Sequence, residues 1–160
     1  MLKKFGATTF LILLLYWVSV YARSSVANGK AAKHSLAAIQ KISAPWSSSG
    51  LQSICSKLRC ENSSEDIESY IDTLRSAMGD FVKIERNPQC NFFSGKIGKS
   101  KEFVSATWVD CILVARYQFG LFKITTRSIE ETSATTRAGS LGDDLKFLEF
   151  SKIELIEEAK

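Results

Sequence analysis

The sequence predicts an α+β fold: a leading membrane or signal helix, then two or three helices packed on a curved antiparallel sheet of four to five strands. Three observations predict it. Residues 5–22 carry no charge behind the basic head Met1-Leu2-Lys3-Lys4. Between Ala32 and Gly79 apolar residues recur three and four positions apart, the spacing of one helix face. After Gly79 the period changes to two, as in strands with one buried face.

The leading segment holds the run Phe10-Leu11-Ile12-Leu13-Leu14-Leu15-Tyr16-Trp17-Val18. A charge at the centre of a bilayer costs about 2.5–3.5 kcal/mol on insertion scales, so a charge-free stretch of this length points to the translocation machinery. Two readings stay open. Val20-Tyr21-Ala22 has the small-residue spacing of a signal-peptidase site, which would release a chain starting at Arg23. Eighteen helical residues also span about 27 Å, enough for an uncleaved anchor, and Tyr16, Trp17 and Tyr21 resemble an interfacial aromatic belt. The expected organisation is therefore a signal or anchor over 1–22, a flexible tether over 23–30 and a single α+β domain over 31–160. Under either reading the lysines stay on the cytoplasmic side and the domain lies beyond the membrane, periplasmic or secreted. No cysteine precedes Cys55, which excludes a lipoprotein anchor at the end of the segment.

A chain of 160 residues, 45% hydrophobic, suffices for one core. Net charge is +4; without residues 1–22, 19 basic side chains face 17 acidic ones, interleaved rather than clustered. Nucleic acid, which draws its affinity from a basic stripe, is not an expected partner.

Ala32, Leu36, Ile39 and Ile42 mark a first short helix, stopped at Ala44-Pro45. Trp46 to Gly50 reads as a loop, and Leu51, Ile54, Cys55 and Leu58 as a second helical piece. The third helix is the clearest: Ser63 or Ser64 caps it, with Asp66 completing a capping box. Ile67, Tyr70, Ile71, Leu74 and Met78 form its stripe, and Gly79 takes the left-handed position behind it. Strands are expected at 81–86 and 91–97, on either side of Asn87-Pro88, then at 103–119, 121–131 and 145–156. Gly120 marks a turn, and 132–144 is a polar loop.

Four cysteines in an exported domain suggest disulfides. They allow three connectivities, and Cys55–Cys60 with Cys90–Cys111 is the favoured one. The first closes a short loop. The second places Cys90 opposite Cys111 if the intervening turn centres between Ser100 and Lys101, and diagonal to it if the turn lies one residue earlier. Free buried cysteines are the plain alternative. Zinc is poorly supported: no C-x-x-C occurs and the only histidine, His34, is distant.

The order of elements resembles the nuclear transport factor 2-like, or cystatin-like, fold, in which a curved antiparallel sheet wraps a helix. Residues 63–156 look like a family of small exported bacterial domains in that superfamily. The matching residues are Glu65-x-Ile67, Leu74-Arg75, Gly79, Arg86, Val114-x-x-Tyr117-x-Phe119, Glu130-Glu131 and Leu145-Lys146-Phe147. The resemblance implies a fold and no activity. A membrane helix before a small α+β domain is also similar to the single-span cytochrome oxidase assembly factors.

Asp110 is the residue most open to a chemical role. It shares a strand face with Trp108, Ile112 and Val114, where an unpaired carboxylate is costly. It could serve as a general base, as in isomerases of that fold, or form an ion pair with Arg116 on the same face. Nucleophile triads fail for want of histidine, since His34 is expected to be exposed. Gly95-Lys96-Ile97-Gly98-Lys99-Ser100 lacks the context of a phosphate loop. Asn62-Ser63-Ser64 is a glycosylation triplet relevant only in a eukaryotic secretory route.

The leading expectation is a non-enzymatic, extracytoplasmic binding or assembly module without a cofactor. It would attach to the membrane through residues 5–22 and contact a protein partner or a second copy through Trp108, Asp110, Arg116 and Tyr117. The alternative is a small-ligand carrier or isomerase-like enzyme with a pocket between sheet and helix around Asp110.

Overall fold

The computed structural model describes residues 2–60, 64–97, 104–130 and 145–159; the side chains of 1–11, Val20, Arg23, 58–59, 64–66, 95–97 and 104–106 lie outside that description. The chain is α+β. Among the described residues, helices α1 (Leu2–Ser43), α2 (Ser48–Gln52), α3 (Lys57–Cys60) and α4 (Ser64–Met78) precede four strands, β1 (Phe81–Ile97), β2 (Val104–Tyr117), β3 (Gly120–Glu130) and β4 (Leu145–Glu158). The strands pair in sequence order as an antiparallel meander, with the helices against one face. The expected cap at Ser63 or Ser64 with Asp66, the turn at 98–103 and the polar loop at 132–144 fall outside the described residues.

Several expectations need correction, two of them around the first helix. Residues 23–30 are not a flexible tether; they continue α1 without a break. Ser24, Ser25, Asn28 and Gly29 are weak helix formers, but tertiary packing overrides propensity here. Ala27, Ala31, Ser35, Ala38, Ile39, Ile42 and Ser43 are buried and recur at helical spacing. Most are small, so the helix axis lies close to the sheet. The other correction concerns Trp46–Gly50. Ser47 accepts a hydrogen bond from Gly50 N (3.3 Å) and caps the short helix α2.

The ends of α1 and α4 show how the core is closed. Gly79, at φ 74°, follows α4, and its N–H returns to Arg75 O (2.8 Å). A side chain there would also strike Gln118 Cβ, at 2.6 Å. Behind α1 the same left-handed position is taken by Trp46, at φ 44°. Ser47 N reaches back to Ile42 O (3.1 Å), the six-to-one bond of a Schellman end. That backbone costs a non-glycine residue about 1–2 kcal/mol. Trp46 offsets it by burying its ring and donating Nε1–H to Gly79 O (2.9 Å). The two helix ends are thereby tied together.

On the helix-covered face lie Val109, Cys111, Leu113, Ala115 and Tyr117 of β2, each at most 2% exposed. Ile67, Ile71, Leu74 and Met78 of the predicted α4 stripe pack on Leu113, Ala115 and Tyr117, with Phe122, Ile124 and Phe147. Each fully buried large apolar side chain contributes about 1.5–3 kcal/mol. A second cluster joins Ala31 to Val109, Cys111 and Leu145.

β1 runs through Asn87-Pro88 rather than breaking there. It is an edge strand, where a residue without an N–H is tolerated, and the register shifts between Arg86 and Gln89 absorb the irregularity. Both favoured disulfides are present, Cys55–Cys60 and Cys90–Cys111. Cys90 and Cys111 stand directly opposite one another, in a register unbroken to Ile97 and Val104.

Candidate functional site

The face of the sheet turned away from the helices is built in rungs, because antiparallel register aligns one residue from each strand. One rung is Asn91, Asp110, Arg127 and Glu149; the next is Phe93, Trp108, Ile129 and Lys146. Asp110 takes a two-pronged bond from Arg127: Nε to Oδ1 and Nη2 to Oδ2, each 2.7 Å. Arg127 Nη1 also lies 3.6 Å from Glu149 Oε1, and the guanidinium sits 5.9 Å from the centre of the Trp108 ring. The Asp110 hydrogen bonds raise the Arg127 pKa above its ordinary value, and burial opposes them. Phe93, 44% exposed, stacks on Trp108 with ring centres 5.8 Å apart.

Of the four residues expected to meet a partner, the structure brings together Trp108 and Asp110. Arg116 does not pair with Asp110. Six residues along a strand separate them by about 20 Å, and Arg116 instead donates to Glu85 Oε1 at 3.0 Å. That bond, with Lys83 at 3.2 Å, holds the Glu85 carboxyl below its ordinary range. Tyr117 lies on the other face and is 2% exposed. It is ringed by Trp46, Phe81 and Phe122, and donates its hydroxyl to Ser43 Oγ (3.0 Å). Burial pushes its pKa up to about 12. It is a core residue.

Arg127, Glu149 and Phe93 were missed by sequence reasoning. A usable signal existed for Arg127: a two-residue loop, Gln118-Phe119, ahead of Gly120 sets Tyr117 against Gly120 and therefore Asp110 against Arg127. His34 is half-buried rather than exposed, with Nε2 shielded and unbonded among the described residues. Burial, then Lys146 and Lys41, lowers its pKa.

A groove of about 710 Å³ opens at the other end of the molecule, lined by Leu74, Met78, Phe119, Phe122 and Leu155 among others. It adjoins the helix-covered side of the sheet, so Asp110 does not line it. Along α1, Ile12 to Val18 and Tyr21 are 46–78% exposed. Among the described residues no helix is long and apolar enough to cross a membrane, and part of the expected segment 5–22 lies outside the described side chains. No protein-family model, no curated protein and no solved structure matches this chain.

Proposed function

We propose that the chain is a non-enzymatic binding or assembly module working outside the cytoplasm. It is held at the membrane by residues 5–22, or released after Ala22, and binds a protein partner through the outer face of its sheet. The observation that carries this reading is the Phe93–Trp108 stack beside Arg127, on a face where Phe93 and Ile112 are exposed. Aromatic and arginine side chains in this arrangement are the usual anchors of protein interfaces. Asp110 is committed to Arg127, which argues for a positioning role for the carboxylate rather than acid–base work. Two disulfides fit an oxidising compartment. The exposed apolar length of α1 suits hydrocarbon better than water. Helices followed by a four-strand meander support kinship with the nuclear transport factor 2-like domains.

A photoreactive residue at Ile112, on the full chain in its native membrane, tests the reading. It yields an adduct that the pair Phe93→Ala and Trp108→Ala abolishes, whereas the same probe at Asp72 yields none. Equal labelling at Ile112 and Asp72 sinks it. A second reading, a carrier for a small apolar ligand, is supported by the groove beside Leu155 and Phe119. Narrowing the groove with Ala77→Trp, at a residue of α4 that also lines it, abolishes retention of a fluorescent fatty acid if that reading holds.

A further inference from the structure

The two edges of the sheet are finished differently. On β4, Phe147 N donates to Ile54 O (2.8 Å), and Phe147 O accepts from Ser56 N (2.7 Å). Phe150 N donates to the Tyr70 hydroxyl (3.3 Å). Past Phe150, Lys152, Glu154, Glu157 and Glu158 place charge along the edge, a common guard against pairing with another chain. On β1 the first half is guarded by Lys83, Glu85, Arg86 and Pro88, and by three register shifts. The second half, Gln89–Ile97, has neither shift nor proline and a single charge, Lys96. Among the described residues no strand pairs with its outer side.

The Cys90–Cys111 pair shows which backbone groups that edge presents. Their Cα atoms are 4.1 Å apart, the close spacing of a non-hydrogen-bonded antiparallel pair. The N–H and C=O of Cys90 therefore point away from β2. By alternation, so do those of Phe92, Ser94 and Lys96. Phe93, between them, stands on the outer face beside Trp108.

We propose that this edge pairs with the same edge of a second copy, antiparallel, about a two-fold axis at Phe93. The proposal rests on the outer-face reading above and names its partner. Self-complementarity singles out the register. Centred on Phe93, Cys90 faces Lys96 of the second copy and Phe92 faces Ser94, so every outward group from 90 to 96 is bonded. A shift of the axis to Phe92 sets Pro88, which has no N–H, against Lys96. A shift to Ser94 carries Cys90 past Ile97, the end of the strand. The two Phe93 residues then form a non-hydrogen-bonded pair, where side chains approach most closely, and the aromatic row runs Trp108, Phe93, Phe93, Trp108 across both copies. No like charges face each other along the segment.

Light scattering of the full chain in detergent should read twice the mass of one chain. Ser94→Pro removes an N–H that the monomer's sheet does not use, so the fold and both disulfides persist while the mass halves. As an independent readout, Phe93→Cys should cross-link between chains at least tenfold more than Asn91→Cys, because only residue 93 meets itself. A single-chain mass for the unaltered protein overturns the proposal. So does a doubled mass that survives Ser94→Pro with equal cross-linking at 91 and 93. A single-chain mass together with an Ile112 adduct to another protein defeats the pairing alone and leaves the outer-face reading standing.

Discussion

Ile112 and Leu113 are chain neighbours, yet Leu113 is wholly buried and Ile112 is 37% exposed. The same contrast recurs along β2 except at Val114, which points outward yet is only 9% exposed. One face (Val109, Cys111, Leu113, Ala115, Tyr117) is sealed against helices α1 and α4, and its polar atoms are bonded inward. The other (Trp108, Asp110, Ile112, Val114, Arg116) mixes apolar and charged residues, with ion pairs between neighbouring strands. Strand alternation alone produces this division. Stability therefore resides on one face, and the other can change its chemistry at little cost to folding.

Substitutions that strain this contrast should descend in effect. Leu113→Ala opens a cavity in the sealed face, with a loss of about 3–4 kcal/mol in denaturant unfolding. Equal tolerance of Leu113→Ala and Ile112→Ala would erase the contrast. Tyr117→Phe, losing the bond to Ser43, should cost about 1–1.5 kcal/mol. Its pH dependence is the sharper test. The folded state holds the phenol proton to about pH 12, whereas an unfolded tyrosine releases it near 10. Stability is thus fully present below pH 10 and falls as pH rises through the folded value. Tyr117→Phe should flatten that decline. On the open face, Asp110→Asn breaks a partly exposed pair and should cost only about 0.5–1 kcal/mol by the same assay. Smallest of all, Glu85→Gln loses screened surface ion pairs to Arg116 and Lys83 and should lower the unfolding midpoint only slightly at neutral pH.

The sealed face was largely legible in the sequence. The α4 stripe, Gly79 and the odd-numbered residues of β2 follow from periods of 3.6 and 2, the quantities that burial imposes. Both disulfides match the favoured connectivity, which loop length and strand register made possible without excluding the other pairings. The length of α1 was not legible: its buried stripe begins with Ala27, Ala31 and Ser35, which have little hydropathy and matter only because the sheet comes close. The open face was read in half. Asp110 announced itself by its neighbours on the same strand, but its partner lies on the adjacent strand. Seeking that partner along β2 led to Arg116, which the rise of a strand puts out of reach. The bare edge at Gln89–Ile97 was hidden too, since pairing is a property of the sheet rather than of any one segment.

The unbroken helix has a mechanical consequence. In the proposed membrane-bound state, no swivel separates the lipid-facing stretch from the stripe docked on the sheet, so the two are locked in angular phase. One extra residue between Ala22 and Ala27 would turn the whole domain by about 100° and lift it by about 1.5 Å. Seven would restore its heading to within about 20° while raising it by roughly 10 Å. In that proposed state, the residue count of one helix sets the direction in which the outer face of the sheet points.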